Sequence, residues 1–306
     1  MPDRPTVTIL LATCNGVRHL PDQLASLARQ SHRGWRLWVG DDGSTDGTRA
    51  ILARFAADHT EQDIRLFEGP RRGSAANFLT LLCHPELPPG PVSFCDQDDV
   101  WLPGKLARAL DHLPETDRPA LYAAASIVTD SVLRPRGVIR SSPTSASFAN
   151  ALTQNIFSGH TLCLNAAAVG LARAAGLPGD LAFHDWWLYQ LVAGAGGSCH
   201  LDPQPVALYR QHGANLMGSG RGLSPLLARG RLLLGRDFRR WSDAHRHALS
   251  QRAHLLTPEA RALLAEMQGA APLGTARLKT YQRLGIRRTG RLGTLALWGA
   301  AAFGLA

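Results

Sequence analysis

Residues 92–101 read V-S-F-C-D-Q-D-D-V-W, an apolar run that ends in three carboxylates, Asp96, Asp98 and Asp99. An apolar stretch that closes on acids is the pattern of a buried parallel strand delivering side chains to the carboxyl edge of a sheet. Open α/β sheets bind their ligands at that edge. Two carboxylates about 4 Å apart repel by roughly 4 kcal/mol at a near-surface effective dielectric, so the cluster calls for a counter-charge. No Lys or Arg lies between Arg72 and Lys105 to supply it locally. A divalent cation ligated by the Asp-x-Asp oxygens meets the need. The competing reading is an Asp99 that caps the next helix while its neighbours face water.

Upstream, the chain alternates between strand and helix patterns. Residues 6–13 (T-V-T-I-L-L-A-T) predict a central strand, followed by the turn Cys14-Asn15-Gly16 and helical leucine spacing across 20–29. A second strand at 35–39 runs into G-D-D-G-S-T-D-G (40–47), with Asp41 and Asp42 at its end and a helix at 48–57. A third, at 64–68, leads through Arg71-Arg72-Gly73-Ser74 into a helix at 75–83. This succession predicts an α/β fold with a doubly wound, mostly parallel sheet flanked by helices. Neither G-x-G-x-x-G nor G-x-x-x-x-G-K-[ST] occurs, which argues against a dinucleotide dehydrogenase or a P-loop NTPase.

Downstream, the pattern predicts a helix at 103–113, a strand at 121–128 and a Pro/Ser/Arg-rich loop at 134–147, long enough for a flap. A turn and strand within 155–165 precede a small-residue helix at 166–175. Then come F-H-D-W-W-L-Y-Q-L (183–191), a helix entered through His184 and Asp185, and short strands near 198–201 and 206–208. L-Y-R-Q-H-G-A-N (208–215) follows.

Taken together, T-C-N-G, D-D-G-S, D-Q-D-D-V-W, the N-x-x-x-G of Asn155 and Gly159, H-D-W-W and Y-R-Q-H-G-x-N resemble glycosyltransferase family 2. Within it, the nearest likeness is to rhamnosyltransferase-like enzymes of bacterial cell-surface polysaccharides. The match spans about residues 5–217, and six ordered motifs carry it. The resemblance implies a GT-A fold, a nucleotide-diphosphate sugar donor, a divalent cation and transfer with inversion at the anomeric carbon. It favours dTDP-rhamnose or a UDP-sugar as donor and places Asp96 against the ribose. A lipid-linked oligosaccharide is the acceptor we expect.

Such chemistry needs a nucleotide held, a departing diphosphate neutralised and an acceptor hydroxyl deprotonated. For the first, Asp42 can accept from a pyrimidine N–H, with Thr13 and Asn15 nearby and Asn77 reaching from the third helix. Asp41 is expected to be the more structural of its pair, complementing a helix dipole. For the second, Asp98 and His212 are the expected metal ligands, and an imidazole favours Mn²⁺ over Mg²⁺. Arg210, Arg71 and Arg72 are candidate phosphate screens; a solvated turn is the rival reading of His212. For the third, Asp185 is the expected general base, with helix capping as its rival role. Trp186 and Trp187 lie about 100° apart on a helix, so one is expected in the core and the other against the acceptor. His160 is given no role.

Charge divides the chain. Residues 221–306 carry 15 Lys/Arg against 4 Asp/Glu, whereas the first 220 are close to neutral. A glycosyltransferase domain over 1–220 and a basic helical C-terminal region over 221–306 are therefore expected. Asp237-Phe238-Arg239-Arg240-Trp241 only approximates the Q-x-x-R-W of processive synthases, which favours single-sugar addition. The basic segment 283–291 followed by apolar 292–306 predicts an anchor in an anionic membrane interface, through Leu295, Leu297, Trp298 and Phe303. Packing back on the domain is its rival. The five scattered cysteines read as free thiols, and a strand so near the N-terminus leaves no room for a signal peptide, which together predict a cytoplasmic protein. The alternatives are a sugar-nucleotide-forming nucleotidyltransferase, which would show a Gly-rich phosphate loop, and a catalytically silent binding module, which would lack one of the acids. A nucleic-acid partner is not expected, since the Arg-rich tail has no interleaved aromatics.

Overall fold

The computed structural model of the chain describes residues 4–140, 146–179, 181–211, 236–271 and 273–304. Its centre is β1 (Val7–Thr13), buried along its whole length. Strands β2 (Trp35–Asp41), β3 (Ile64–Glu68) and β4 (Val92–Asp96) pair with it in parallel, in the order β3-β2-β1-β4. Helices α1 (Leu20–Ala28), α2 (Thr48–Asp58) and α3 (Ser74–Leu82) make the crossovers. A strand covered by helices on both faces has no polar face to show, which is why 7–12 reads as unbroken hydrophobicity.

Past β4 the sheet becomes mixed. It continues through β5 (Val100–Trp101), β6 (Ala120–Thr129), β7 (Pro135–Ile139), β8 (Cys163–Leu164) and β9 (Ser198–Arg210), in the order β4-β8-β6-β9-β5 with β7 on the flank of β6. The helices here are α4 (Lys105–His112), α5 (Phe148–Ala151), α6 (Ala166–Ala175) and α7 (His184–Gly194). Beyond residue 235 lie α8 (Arg236–Ser250), α9 (Pro258–Gln268), α10 (Gly274–Arg283) and α11 (Arg291–Ala302). Leu249, Leu264, Tyr281 and Leu297 from these helices, with Ile286 between the last two, enter the same buried cluster as Leu10 and Phe94.

Four local expectations are corrected. The flap expected at 134–147 contains an exposed edge strand, β7, antiparallel to β6; a proline at its first residue is tolerated on an edge. The two strands expected near 198–201 and 206–208 are one strand. Asp202-Pro203-Gln204-Pro205 interrupts the apolar pattern, and the register against β6 shifts there instead of the strand ending. Trp186 and Trp187 are both buried, because α7 is enclosed nearly all round. Trp187 joins the main core, while Trp186 stacks on Phe238 and donates its indole N–H to the Ala151 carbonyl at 2.6 Å. Of the expected membrane contacts, Leu297 is buried and Trp298 half-buried, its indole N–H bonded to the Ile286 carbonyl; Leu295 and Phe303 remain exposed. No helix among the described residues is long and apolar enough to cross a membrane. All five cysteines are free, with Cys95 and Cys163 buried.

Candidate active site

Parallel register sets the site. Thr13 pairs with Asp41, Ala12 with Asp96, and Asp41 with Glu68, so β3, β2, β1 and β4 present a polar row at one edge. Asp96 and Asp98 flank Gln97, which opens the turn after β4. Gln97 staples the first turn: its Oε1 accepts from the Thr13 hydroxyl at 2.6 Å and the Cys14 N–H at 2.9 Å, and its Nε2 donates to the Cys14 carbonyl at 3.1 Å. Asn15 sits at φ 50°, a left-handed conformation that Asn tolerates better than most residues. Its Oδ1 accepts from the Thr45 N–H at 2.9 Å, and its own N–H reaches the Ser44 hydroxyl. The turns after β1 and β2 are thereby tied together.

Asp42 is half-buried, and its two oxygens accept the N–H groups of Arg71 at 2.6 Å and Gly73 at 2.7 Å. Charge-assisted bonds of this kind fix the 71–73 loop over the end of β2. Asp41 is fully buried, accepts the Ser44 N–H and faces Arg49, a structural role as expected. Asn77 does not reach the open edge. It is buried, its amide donates to the Gly40 carbonyl at 2.7 Å, and a Cβ on Gly40 would lie only 2.0 Å from its Oδ1. Helix α3 faces the sheet through this residue, so Asn77 supports β2 from behind.

The acids after β4 are not alone. Lys105, in the first turn of α4, is fully buried; its Nζ donates to the His160 carbonyl at 2.7 Å and lies 3.3 Å from the centroid of the Trp101 ring. Folding thus brings in the cation that local sequence did not supply. One lysine does not balance the group. Burial, then Asp98, then Asp185 push the Asp96 carboxyl up to about 7, against the opposing pull of Lys105. Burial, followed by Asp96 and Asp98, pushes Asp99 well up as well. Asp99 accepts the Arg210 N–H at 3.1 Å, while its Oδ2 is buried with no hydrogen-bond partner among the described residues. Arg210 is not an open phosphate screen: it is buried and bonds Asp22 at 2.8 Å, the Asp98 carbonyl and the Ser131 carbonyl.

Asp185 joins the group from α7, whose His184 packs on Phe94 of β4. It occupies the first turn of α7, where its Oδ1 accepts the Trp186 N–H at 2.7 Å and its Oδ2 accepts the Gly159 N–H at 2.9 Å. The N-cap itself is Phe183. Gly159 is required for this approach. A Cβ there would stand 2.9 Å from a His184 ring carbon and 3.3 Å from Asp185 Oδ2. The His184 ring is held between Phe78 and Phe94, which orients the start of the helix.

The His160 reading changes. Its ring is buried, bonds the Ser126 hydroxyl at 2.9 Å through Nε2 and stacks on Tyr209. Ligand atoms of Asp96, Asp99 and His160 lie within 4.8 Å of one another. Burial and Lys105 push the imidazole down to about 3, so it is neutral and able to ligate. His212, the expected ligand, lies outside the described residues. Two carboxylates, one of them with an orphaned oxygen, and a neutral imidazole are a donor set that fits Mn²⁺ or Mg²⁺. Gln97, Lys105 and His160 were missed from sequence because each depends on a partner at least 55 positions away. The one local signal was a lysine on the buried face of α4, beside Leu106 and Ala109.

Acids at the carboxyl edge of parallel strands, facing a carboxylate from a later helix, form a site where α/β scaffolds bind their ligands. The sequence model of glycosyl transferase family 2 matches residues 8–165, just over half the chain, and the chain belongs to that family. The dTDP-rhamnosyl transferase RfbG of Shigella flexneri is 25% identical over 219 residues, covering 68% of this chain and 74% of the relative. Among solved structures, S. aureus TarS 1-349 in complex with UDP-GlcNAc aligns over 91% of this chain and 90% of its own, with a TM-score of 0.56 at 15% identity. The mannosyltransferase PcManGT from Pyrobaculum calidifontis, in complex with GDP-Man and Mn²⁺, aligns over 99% and 88%, with a TM-score of 0.53 at 22% identity. These likenesses show the fold, the GT-A type expected from the motifs.

Proposed function

We propose that this family 2 glycosyltransferase moves one sugar from a nucleotide diphosphate, dTDP-rhamnose or a UDP-sugar, to a saccharide hydroxyl with inversion, in the synthesis of a bacterial surface polysaccharide. One arrangement carries the reading: Asp185, on α7, accepts the Gly159 N–H at 2.9 Å, and the next residue, His160, has a ring nitrogen within 4.8 Å of the Asp96 and Asp99 carboxylates. Donor-binding acids and a separate candidate base therefore share one site. The rhamnosyltransferase relative supports dTDP-rhamnose, the UDP-GlcNAc complex of TarS supports a UDP-sugar, and the GDP-Man complex of PcManGT supports only a nucleotide-diphosphate sugar in general.

In this reading Thr13, Asn15 and Asp42 border the nucleotide. Asp42 keeps lone pairs for a ring N–H beyond the two backbone bonds it accepts. Asp96 faces the ribose. Asp98 is the leading metal ligand, with His212 proposed beside it and the Asp96, Asp99 and His160 group as the rival set. The cation, when bound, supplies Lewis-acid neutralisation of the departing diphosphate. Asp185 accepts the acceptor's hydroxyl proton as that oxygen attacks, and the Gly159 N–H fixes which carboxylate lone pairs face the cleft. A single displacement of this kind leaves no sugar on the protein.

Asp185→Asn removes the base while keeping size and an acceptor oxygen for one of its two backbone bonds. We expect transfer to fall by about 10²–10⁴-fold with nucleotide affinity unchanged, read by kcat against a nucleotide Kd. Transfer at the wild-type rate would remove Asp185 from the mechanism.

A further inference from the structure

Helix α11 has two apolar faces and only one is covered. Leu297, Ala300 and Ala301 pack into the core. Leu292, Leu295, Ala296, Gly299 and Phe303 are exposed, with Leu292 at 69%, Leu295 at 59% and Phe303 at 79%. At 100° per residue these five fall on one stripe of the helix, opposite the buried face. No charged residue interrupts 292–304. An exposed apolar stripe of large side chains is unusual on a water-soluble protein and marks an interaction face.

The stripe adjoins a cavity of about 480 Å³ lined by Arg287, Arg288, Arg291, Thr294, Leu295 and Trp298, among others. Arg288 is anchored by a bond to the Thr153 carbonyl at 2.6 Å, and its guanidinium lies over the Phe238 ring. Arg287 and Arg291 are exposed and make no side-chain ion pair among the described residues. The turn that carries these arginines is held firmly, since the Arg287 carbonyl accepts from Asn150 and the Thr289 N–H bonds Gln154 at 2.7 Å. The cavity shares no residue with the acidic cluster at the β4 edge.

We propose that this face docks on the surface of an anionic phospholipid bilayer. A lipid phosphate sits against the guanidinium groups of Arg287, Arg288 and Arg291, and Leu292, Leu295 and Phe303 enter the acyl boundary. Charge selects the occupant. Three arginines beside an uncharged apolar stripe match phosphate above hydrocarbon, the order of groups at a bilayer interface. A water-soluble anion would use the arginines but leave the stripe exposed, and a second copy of the chain would set like charges against each other. The helix lies along the surface, since α11 has 12 residues and is too short to span.

The test uses the full chain and vesicles of phosphatidylcholine with or without phosphatidylglycerol, read by co-sedimentation at low and high salt. Binding is expected to the anionic vesicles only, and to weaken as salt rises. Arg287→Glu with Arg291→Glu is expected to lower partitioning at least tenfold, since each cation near such a surface contributes about fivefold. Leu295→Asp with Phe303→Asp is expected to do the same at unchanged charge on the arginines. Donor hydrolysis in free solution reports folding of each variant and should stay within about twofold of the parent. The proposal is overturned by no vesicle binding, by binding that both double variants retain, or by concentration-dependent self-association that the apolar variants abolish in the absence of lipid. Competition by millimolar inorganic phosphate on the arginines without any vesicle binding would instead mark a soluble-anion site, and would also overturn it.

Discussion

His245 illustrates how a single buried group writes itself into stability. Its ring is buried, its Nδ1–H donates to Gln190 Oε1 at 2.9 Å, and burial pushes its imidazole down to about 3. The folded state therefore holds it neutral, while the unfolded chain takes up a proton below about pH 6.5. More protons bound in the unfolded state means stability rises with pH, so this contribution is lost as pH falls from about 6.5 towards 3. His245→Gln removes the linkage. Between pH 7 and pH 5 the stability difference between parent and variant should shift by about 2 kcal/mol in favour of the variant, measured by urea unfolding. A difference independent of pH would mean that His245 takes up its proton equally in the folded and unfolded states. Asp96 works in the opposite direction: its raised carboxyl binds a proton in the fold that the unfolded chain releases, so its contribution falls as pH rises from about 4 to about 7. The acids themselves were legible as residues of the sequence. Their environment was not, because Lys105 and His160 reach them only through α4 and the turn before β8.

At the scale of elements, the start of α7 is the part on which the proposed chemistry depends most tightly. Gly159→Ala would press a methyl group against His184, which is itself wedged between Phe78 and Phe94 and has little room to yield. We expect a stability cost of about 1–3 kcal/mol and a fall in transfer of about 100-fold from a displaced Asp185, with nucleotide affinity preserved. Equal activity in parent and variant would show that α7 tolerates the shift and that its position is not critical. The βαβα half was readable because strands 1, 2 and 4 are buried and continuous, and the leucine spacing of α1 matches the side that faces them. The later half was harder. Edge strand β7 carries no apolar alternation, and β9 passes through two prolines that resemble a strand break. Both owe their existence to pairing with β6, a long-range cause that local pattern does not contain.

For the molecule as a whole, the basic C-terminal helices are part of the same apolar core as the sheet. Tyr281, Ile286, Leu297 and Ala301 are each at most 1% exposed. Full burial of a large apolar side chain stabilises by about 1.5–3 kcal/mol, so a chain ending at Thr280 loses several such contributions at once. Its thermal midpoint should drop by well over 5 °C or the protein should fail to accumulate, read by calorimetry on purified material. An unchanged midpoint would mean the C-terminal helices merely rest on the sheet. Membrane docking and catalysis are accordingly tested by substitutions on the exposed face of α11 and not by truncation. The central claim, however, is that acids at the carboxyl edge of β4 hold a cation and, through it, the diphosphate of a sugar nucleotide. Titration calorimetry of dTDP-rhamnose and UDP-sugars, with Mn²⁺ or with chelator, on the parent and on Asp98→Asn, tests it most directly. The account predicts saturable binding of at least one donor that needs Mn²⁺ and disappears in the variant. Donor binding that persists in chelator and survives the loss of Asp98 would contradict it.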